Sequence, residues 1–196
     1  MSAKILSGKE IGESIRQELK TEIDEIFKSG GGRPKLVVTL VGDDPASHVY
    51  VRNKEKACEK VGIETEDWKP PSDVSQDELI ANIDKFNEDP SVNGILVQLP
   101  LPGHIDEGVV LERILPQKDV DGFHPYNLGQ LVLGADVLAP ATPSGVVAML
   151  DRSEISMLGK NVAMVGRSRI VGKPLAAMFT NRSASVTICH SKTRDL

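Results

Sequence analysis

Lys54 shares a helical stripe with Tyr50, Ala57, Cys58 and Val61, at spacings i, i+4, i+7, i+8 and i+11 counted from Tyr50. In a stripe that faces inward, desolvation favours the neutral amine, which could then act as a general base or proton shuttle. At the edge of the stripe the same side chain would instead snorkel to water. A second polar group comes from Val97-Gln98-Leu99-Pro100-Leu101-Pro102, where prolines stop an apolar strand just after an amide. A third is Asp121 in Lys118-Asp119-Val120-Asp121-Gly122, a carboxylate on a tight turn that could accept two N–H bonds from a guanidine-like heterocycle. The alternatives for that turn are an Asx residue that only stabilises it, or a weak Asp-x-Asp metal site.

The segment Val162 to Pro174 reads as a strand, a turn at Gly166 and a helix start near Pro174. Such a helix start offers N–H groups and positive dipole to an anion. Its glycines, Gly166 and Gly172, match neither the strict G-x-G-x-x-G fingerprint nor a P-loop, so an ordinary strand-to-helix turn is the alternative to a dinucleotide site. Ser185 to Cys189 follows as a second strand. Its end, His190-Ser191-Lys192, offers a hydroxyl and cations where an NAD site usually carries an acid, which favours NADP, with Arg167 or Arg169 in reach. A solvated basic loop is the competing reading.

The elements that must position these groups alternate along the chain. Ile11, Ile15, Leu19, Ile23, Ile26 and Phe27 predict a first helix ended by Gly30-Gly31-Gly32. A strand over 36–41, a helix over 47–61 and a strand over 63–68 come next. Ser75-Gln76-Asp77-Glu78 is a capping box for a helix with Leu79, Ile80, Ile83 and Phe86 inward, before a strand over 92–99. Val109, Val110 and Ile114 mark a further helix, Leu128, Leu131 and Val132 a short helical piece, and Thr142-Pro143 starts a connector through Arg152. The pattern predicts an α/β fold with a mainly parallel sheet covered on both faces, and ligands at the carboxyl ends of its strands. Residues 1–141 are expected to form one domain, and 142–196 the connector helix and first part of another.

The 196 residues carry 23 Lys+Arg against 28 Asp+Glu, a net charge of −5, and the few aromatics are not interleaved with a basic patch, which argues against a nucleic-acid partner. No run approaches the ~18 apolar residues of a membrane span and no signal-peptide core is present, so a cytoplasmic protein is expected. Cys58 and Cys189 lack metal spacing, and the four histidines form no H-x-x-x-H pair, so neither disulfide nor metal is expected.

Ala46 to Ala57, Val97 to Pro102, Lys118 to Gly122 and Val165 to Pro174, continued by Cys189-His190-Ser191-Lys192-Thr193, resemble the successive motifs of the bifunctional methylenetetrahydrofolate dehydrogenase/methenyltetrahydrofolate cyclohydrolase family. The resemblance implies an N-terminal three-layer α/β folate domain followed by an incomplete Rossmann-like NAD(P)-binding domain. It implies NADP-dependent oxidation of 5,10-methylenetetrahydrofolate to the methenyl form, then hydrolysis to 10-formyltetrahydrofolate, in one-carbon metabolism that feeds purine biosynthesis. On matching positions, Lys54 would be the central catalytic group of the hydrolysis and Gln98 would bond its amine. Tyr50 would stack on the folate, Asp121 would bind the pterin, and Ser47, Leu99 and Pro100 would line the folate cleft. Gly166, Arg167, Ser168 and Ile170 would hold the cofactor, with Ser191 and Arg167 near its 2′-phosphate. A homodimer through the nucleotide domain is also implied.

Two departures stand out. The family's Pro-Cys-Thr-Pro is Pro140-Ala141-Thr142-Pro143 here, so no thiol role transfers. The family also continues for roughly a hundred residues past the position of Leu196, including a Pro-Gly-Gly-Val-Gly-Pro-Met-Thr segment, so a C-terminally truncated chain with impaired hydride transfer is expected. The rival is a truncated, non-catalytic folate-binding or interaction protein with an unpaired sheet edge. Tyr50 and Lys54 also resemble the catalytic pair of short-chain dehydrogenases, but there the glycine motif precedes the pair.

Overall fold

The computed structural model describes residues 5–195, which form two compact units, Gly12–Val120 and the described parts of Met1–Ile11 and Asp121–Leu196. In the first unit, α1 (Gly8–Lys28), which begins in the other unit, leads to β1 (Lys35–Thr39). Then come α2 (Pro45–Val61), β2 (Glu64–Trp68), α3 (Gln76–Glu88), β3 (Gly94–Val97) and α4 (Glu107–Arg113). The strands make a parallel sheet in the order β2-β1-β3, with Val38 opposite Asp67 on one side and Leu96 on the other. β1 is the central strand, and Val37, Val38 and Thr39 are fully buried.

Alternation along the strands divides the sheet into two faces. Val38, Leu40 and Leu96 pack with Val51 of α2, and Leu36 and Val120 close that cluster. α3 packs against β3 and buries Leu79 and Ile83, while the Trp68 and Phe86 rings meet edge-on at 6.1 Å. The N-cap half of the expected capping box forms: Ser75 Oγ accepts the Glu78 N–H at 3.2 Å. Strand β2 is the exception to a covered sheet, because it is an edge strand whose first four residues are exposed. The expected strand over 92–99 is shorter, since the chain leaves the sheet after Val97.

The second unit contains α5 (Pro125–Val132), α6 (Ala141–Arg152), β4 (Asn161–Val165), α7 (Gly172–Asn181) and β5 (Ser185–Cys189). β4 and β5 form their own parallel two-stranded sheet. Leu131, Val147, Leu175, Met178 and Phe179 make the core, against which Val162, Met164 and Val186 pack from the strands. On the other side of the sheet, Val165 is 71% exposed. Thr142 does not cap α6: the helix begins at Ala141 with Pro140 at its cap, whose carbonyl accepts the Ser144 hydroxyl. Among the described residues, no helix is long and apolar enough to cross a membrane.

Candidate active site

Helix α2 starts where the sequence turns polar and rigid. The Asp44 carboxylate accepts the Ser47 N–H at 2.8 Å, Pro45 fills the first turn, and Gly62 closes the other end in the left-handed conformation (φ 87°). Hydrogen bonds from the Ser47 hydroxyl and N–H hold the Asp44 carboxyl below the usual carboxylate range. The helix buries a line through Ser47, Val51 and Val61, with Lys54, Ala57 and Cys58 half-buried beside it. Tyr50 does not face inward as the stripe predicted. One residue back along the helical turn from Val51, it stands on the flank and is 64% exposed.

Lys54 Nζ donates to Gln98 Oε1 at 3.3 Å. Gln98 is itself held at two points: its N–H donates to Thr39 O at 2.9 Å, and its Nε2 donates to Leu99 O at 2.8 Å. That second bond fixes which end of the amide faces Lys54. Leu99 and Pro100, joined by a cis peptide bond, carry the chain out of the sheet directly after it. A lysine and an oriented amide thus meet at the carboxyl ends of β1 and β3, where an α/β sheet receives ligands.

The Lys118-to-Gly122 motif divides its labour. Lys118 Nζ donates to the carbonyls of Phe86, Asn87 and Asp89 at 2.7–3.0 Å, capping the end of α3. Asp119 is buried beside Ile95, to which it is bridged. Asp121 opens the second unit and is partly exposed. The next residue must be glycine: Gly122 has φ 64°, and a Cβ there would lie 2.6 Å from the Ala139 backbone. No group of three potential metal ligands occurs among the described residues.

The glycine-rich loop joins β4 to α7, and the Gly166 N–H donates to Cys189 O at 2.8 Å, tying together the ends of the two strands. The loop closes on itself through its glycines, since a Cβ on Gly172 would sit 2.3 Å from Gly166 O. The helix start is less open to an anion than the sequence suggested. Ser168 Oγ already accepts the N–H groups of Val171 and Gly172, and Ser168 O accepts that of Lys173. What the loop presents to solvent is Arg167, Arg169 and Ile170, all exposed. At the end of β5, a turn is locked by Thr193 Oγ1 accepting the His190 N–H and His190 Nδ1 accepting the Lys192 N–H, leaving Ser191 exposed.

The family model described as the tetrahydrofolate dehydrogenase/cyclohydrolase catalytic domain matches residues 6–121, and the model for the NAD(P)-binding domain of the same enzymes matches 140–196. The chain belongs to the tetrahydrofolate dehydrogenase/cyclohydrolase family. The bifunctional protein FolD of Brevibacillus brevis is 51% identical over 196 residues, covering all of this chain and 69% of the relative. The crystal structure of FolD from Campylobacter jejuni superposes with a TM-score of 0.97 at 46% identity, over 99% of this chain and 69% of that one. The Trypanosoma brucei dehydrogenase-cyclohydrolase, solved with NADP and an inhibitor, gives 0.92 at 35% identity, over 98% and 66%.

Within the family frame, the structure brings Lys54 and Gln98 together, and sets Arg167, Ser168 and Ser191 at the strand ends of one small sheet. It uses Ser47, 4% exposed, at the start of α2, with its hydroxyl on Asp44. Ala141, at the departure from the family pattern, is the first residue of α6. Sequence reasoning missed the capping by Lys118, whose partners lie 29 to 32 residues away and leave no local pattern.

Proposed function

We propose that this chain catalyses both steps of its family, oxidation of 5,10-methylenetetrahydrofolate with NADP and hydrolysis of the methenyl product, with Lys54 as the proton-handling group of the second. The observation that carries the reading is the Lys54–Gln98 hydrogen bond at the strand ends of a chain that both family models match. Asp121 accepts N–H bonds from the pterin, and the exposed Tyr50 ring stacks on the folate beside Lys54. Leu99 and Pro100 line the same cleft, and Ser47 supports it by holding the first turn of α2.

The donor set at the glycine loop fits a phosphorylated dinucleotide. Gly172 lets the loop close tightly, Ser168 shapes it, and Arg167 and Arg169 present exposed guanidinium groups. At the neighbouring strand end, Ser191 and Lys192 replace the acid that would repel a 2′-phosphate. Gly166, Arg167, Ser168 and Ile170 would therefore hold the pyrophosphate and ribose, and Ser191 with Arg167 the 2′-phosphate. When bound, NADP supplies the acceptor for the hydride leaving the methylene carbon.

Hydrolysis needs only the chain's own groups. Water adds to the electrophilic methenyl carbon, and its proton passes to the Lys54 amine, which Gln98 keeps pointed at the site. Opening of the carbon–nitrogen bond leaves the formyl group on N10, and the freed nitrogen takes a proton. The reading extends to a cytoplasmic homodimer serving purine biosynthesis, supported by the family resemblance.

The dehydrogenase arm is tested by following methenyl-folate absorbance with NADP or NAD. Formation with NADP at well above the rate with NAD is expected. A preference for NAD would remove the assigned roles of Ser191 and Arg167.

A further inference from the structure

Lys54 and its neighbour Glu55 leave α2 about 100° apart, on opposite sides of a line through buried Val51 and half-buried Cys58. Lys54 reaches toward β3, where it meets Gln98, and Glu55 reaches toward β2. There Lys69 Nζ lies 3.7 Å from Glu55 Oε1 and is also paired with Asp67. All three side chains are only partly exposed. Helix α2 is thus fastened on both flanks, by a single long hydrogen bond on one and a three-residue cluster on the other.

This arrangement is sensitive to rotation of the helix. A roll of roughly 10° moves a group about 6 Å from the axis by about 1 Å, enough to break a bond that already spans 3.3 Å. We propose that Glu55, with Asp67 and Lys69, is a positioning residue for Lys54: the cluster sets the roll of α2 over β1 and hence the reach of Lys54 to Gln98. The functional consequence rests on the hydrolytic role of Lys54 given above; the positioning itself does not.

The charge balance gives the direction with pH. The Asp67 carboxylate beside Glu55, then burial, raise the Glu55 pKa, against the pull of Lys69. Burial also pushes Asp67 up, but the bonds from Glu55 and Lys69 outweigh it and hold Asp67 low. His48 and Arg52 line the same cavity of about 300 Å³ beside Glu55 and Lys69. The two carboxylates therefore face each other as like charges once pH rises through the raised Glu55 value, with Lys69 paired to both.

The test is NMR of the lysine side-chain nitrogens of the full 196-residue chain across pH, with the Lys54 resonance assigned by its loss in Lys54→Met. In the unsubstituted chain the Lys54 resonance should shift as Glu55 ionises. Glu55→Gln, whose amide can still donate to Asp67, should abolish that step and hold the resonance at its low-pH position. Glu55→Ala and Lys69→Met should displace it at every pH. Hydrolysis should fall several-fold in Glu55→Ala through kcat with KM unchanged, and recover in Glu55→Gln. A Lys54 resonance that superposes in all these variants would overturn the proposal. Undiminished hydrolysis in Lys54→Met would instead overturn the role of Lys54 and leave the resonance test standing.

Discussion

The proposed proton-handling role of Lys54 requires that its amine be aimed, and Gln98 is the side chain that receives it. Gln98 accepts from Lys54 only because its own N–H and Nε2 are anchored on Thr39 and Leu99. Gln98→Ala should therefore lower methenyl-folate hydrolysis by about 100-fold, the lower end of what general acid–base groups contribute, and leave the far-UV circular dichroism unchanged. A rate within twofold of the unsubstituted chain would show that Lys54 is aimed by something else. At this scale the Lys54–Gln98 contact was legible in the sequence, because an inward-leaning lysine and an amide at a proline-stopped strand end are local anomalies. The sequence did not show that the Ser47 N–H donates to Asp44, or that Ser168 Oγ accepts two backbone N–H groups. A residue type alone does not say whether its hydroxyl faces a ligand or the backbone.

At the scale of elements, helix ends position the site, and their caps respond differently to perturbation. The Asp44 cap opens α2, and its carboxyl is held below the ordinary range by Ser47. Its contribution is fully present above the ordinary aspartate pKa and is lost as pH falls through the lowered value. Asp44→Asn keeps a capping side chain and should flatten the loss of thermal stability on acidification; an unchanged acid limb would assign that limb to other carboxyls. Lys118 ends α3 by filling three carbonyls. Lys118→Met should destabilise the first unit by about 1–3 kcal/mol in urea unfolding, whereas no loss would mean that water serves those carbonyls equally well. The start of α3 was legible in Ser75 and Glu78, because a capping box is written within four residues. Its end was not, since the capping lysine arrives from beyond β3.

At the scale of the molecule, helix and strand alternation announced an α/β fold with parallel strands, and both sheets are parallel. Periodicity could not show that the strands divide into a three-stranded and a two-stranded sheet, because a buried apolar run looks alike in either. Nor could it show β2 as an exposed edge, which depends on strand order. Lys54 and Gln98 lie in Gly12–Val120, and the glycine loop with Ser191 lies in the other unit. Under the proposed function, substitutions at the two sets of residues should affect hydrolysis and cofactor use separately. The most direct measurement is the rate of methenyl-folate hydrolysis, followed by absorbance, for the 196-residue chain and its Lys54→Met variant. The account predicts enzymatic hydrolysis by the former and decay at the buffer rate with the latter, with folding intact; equal hydrolysis by the two would contradict it.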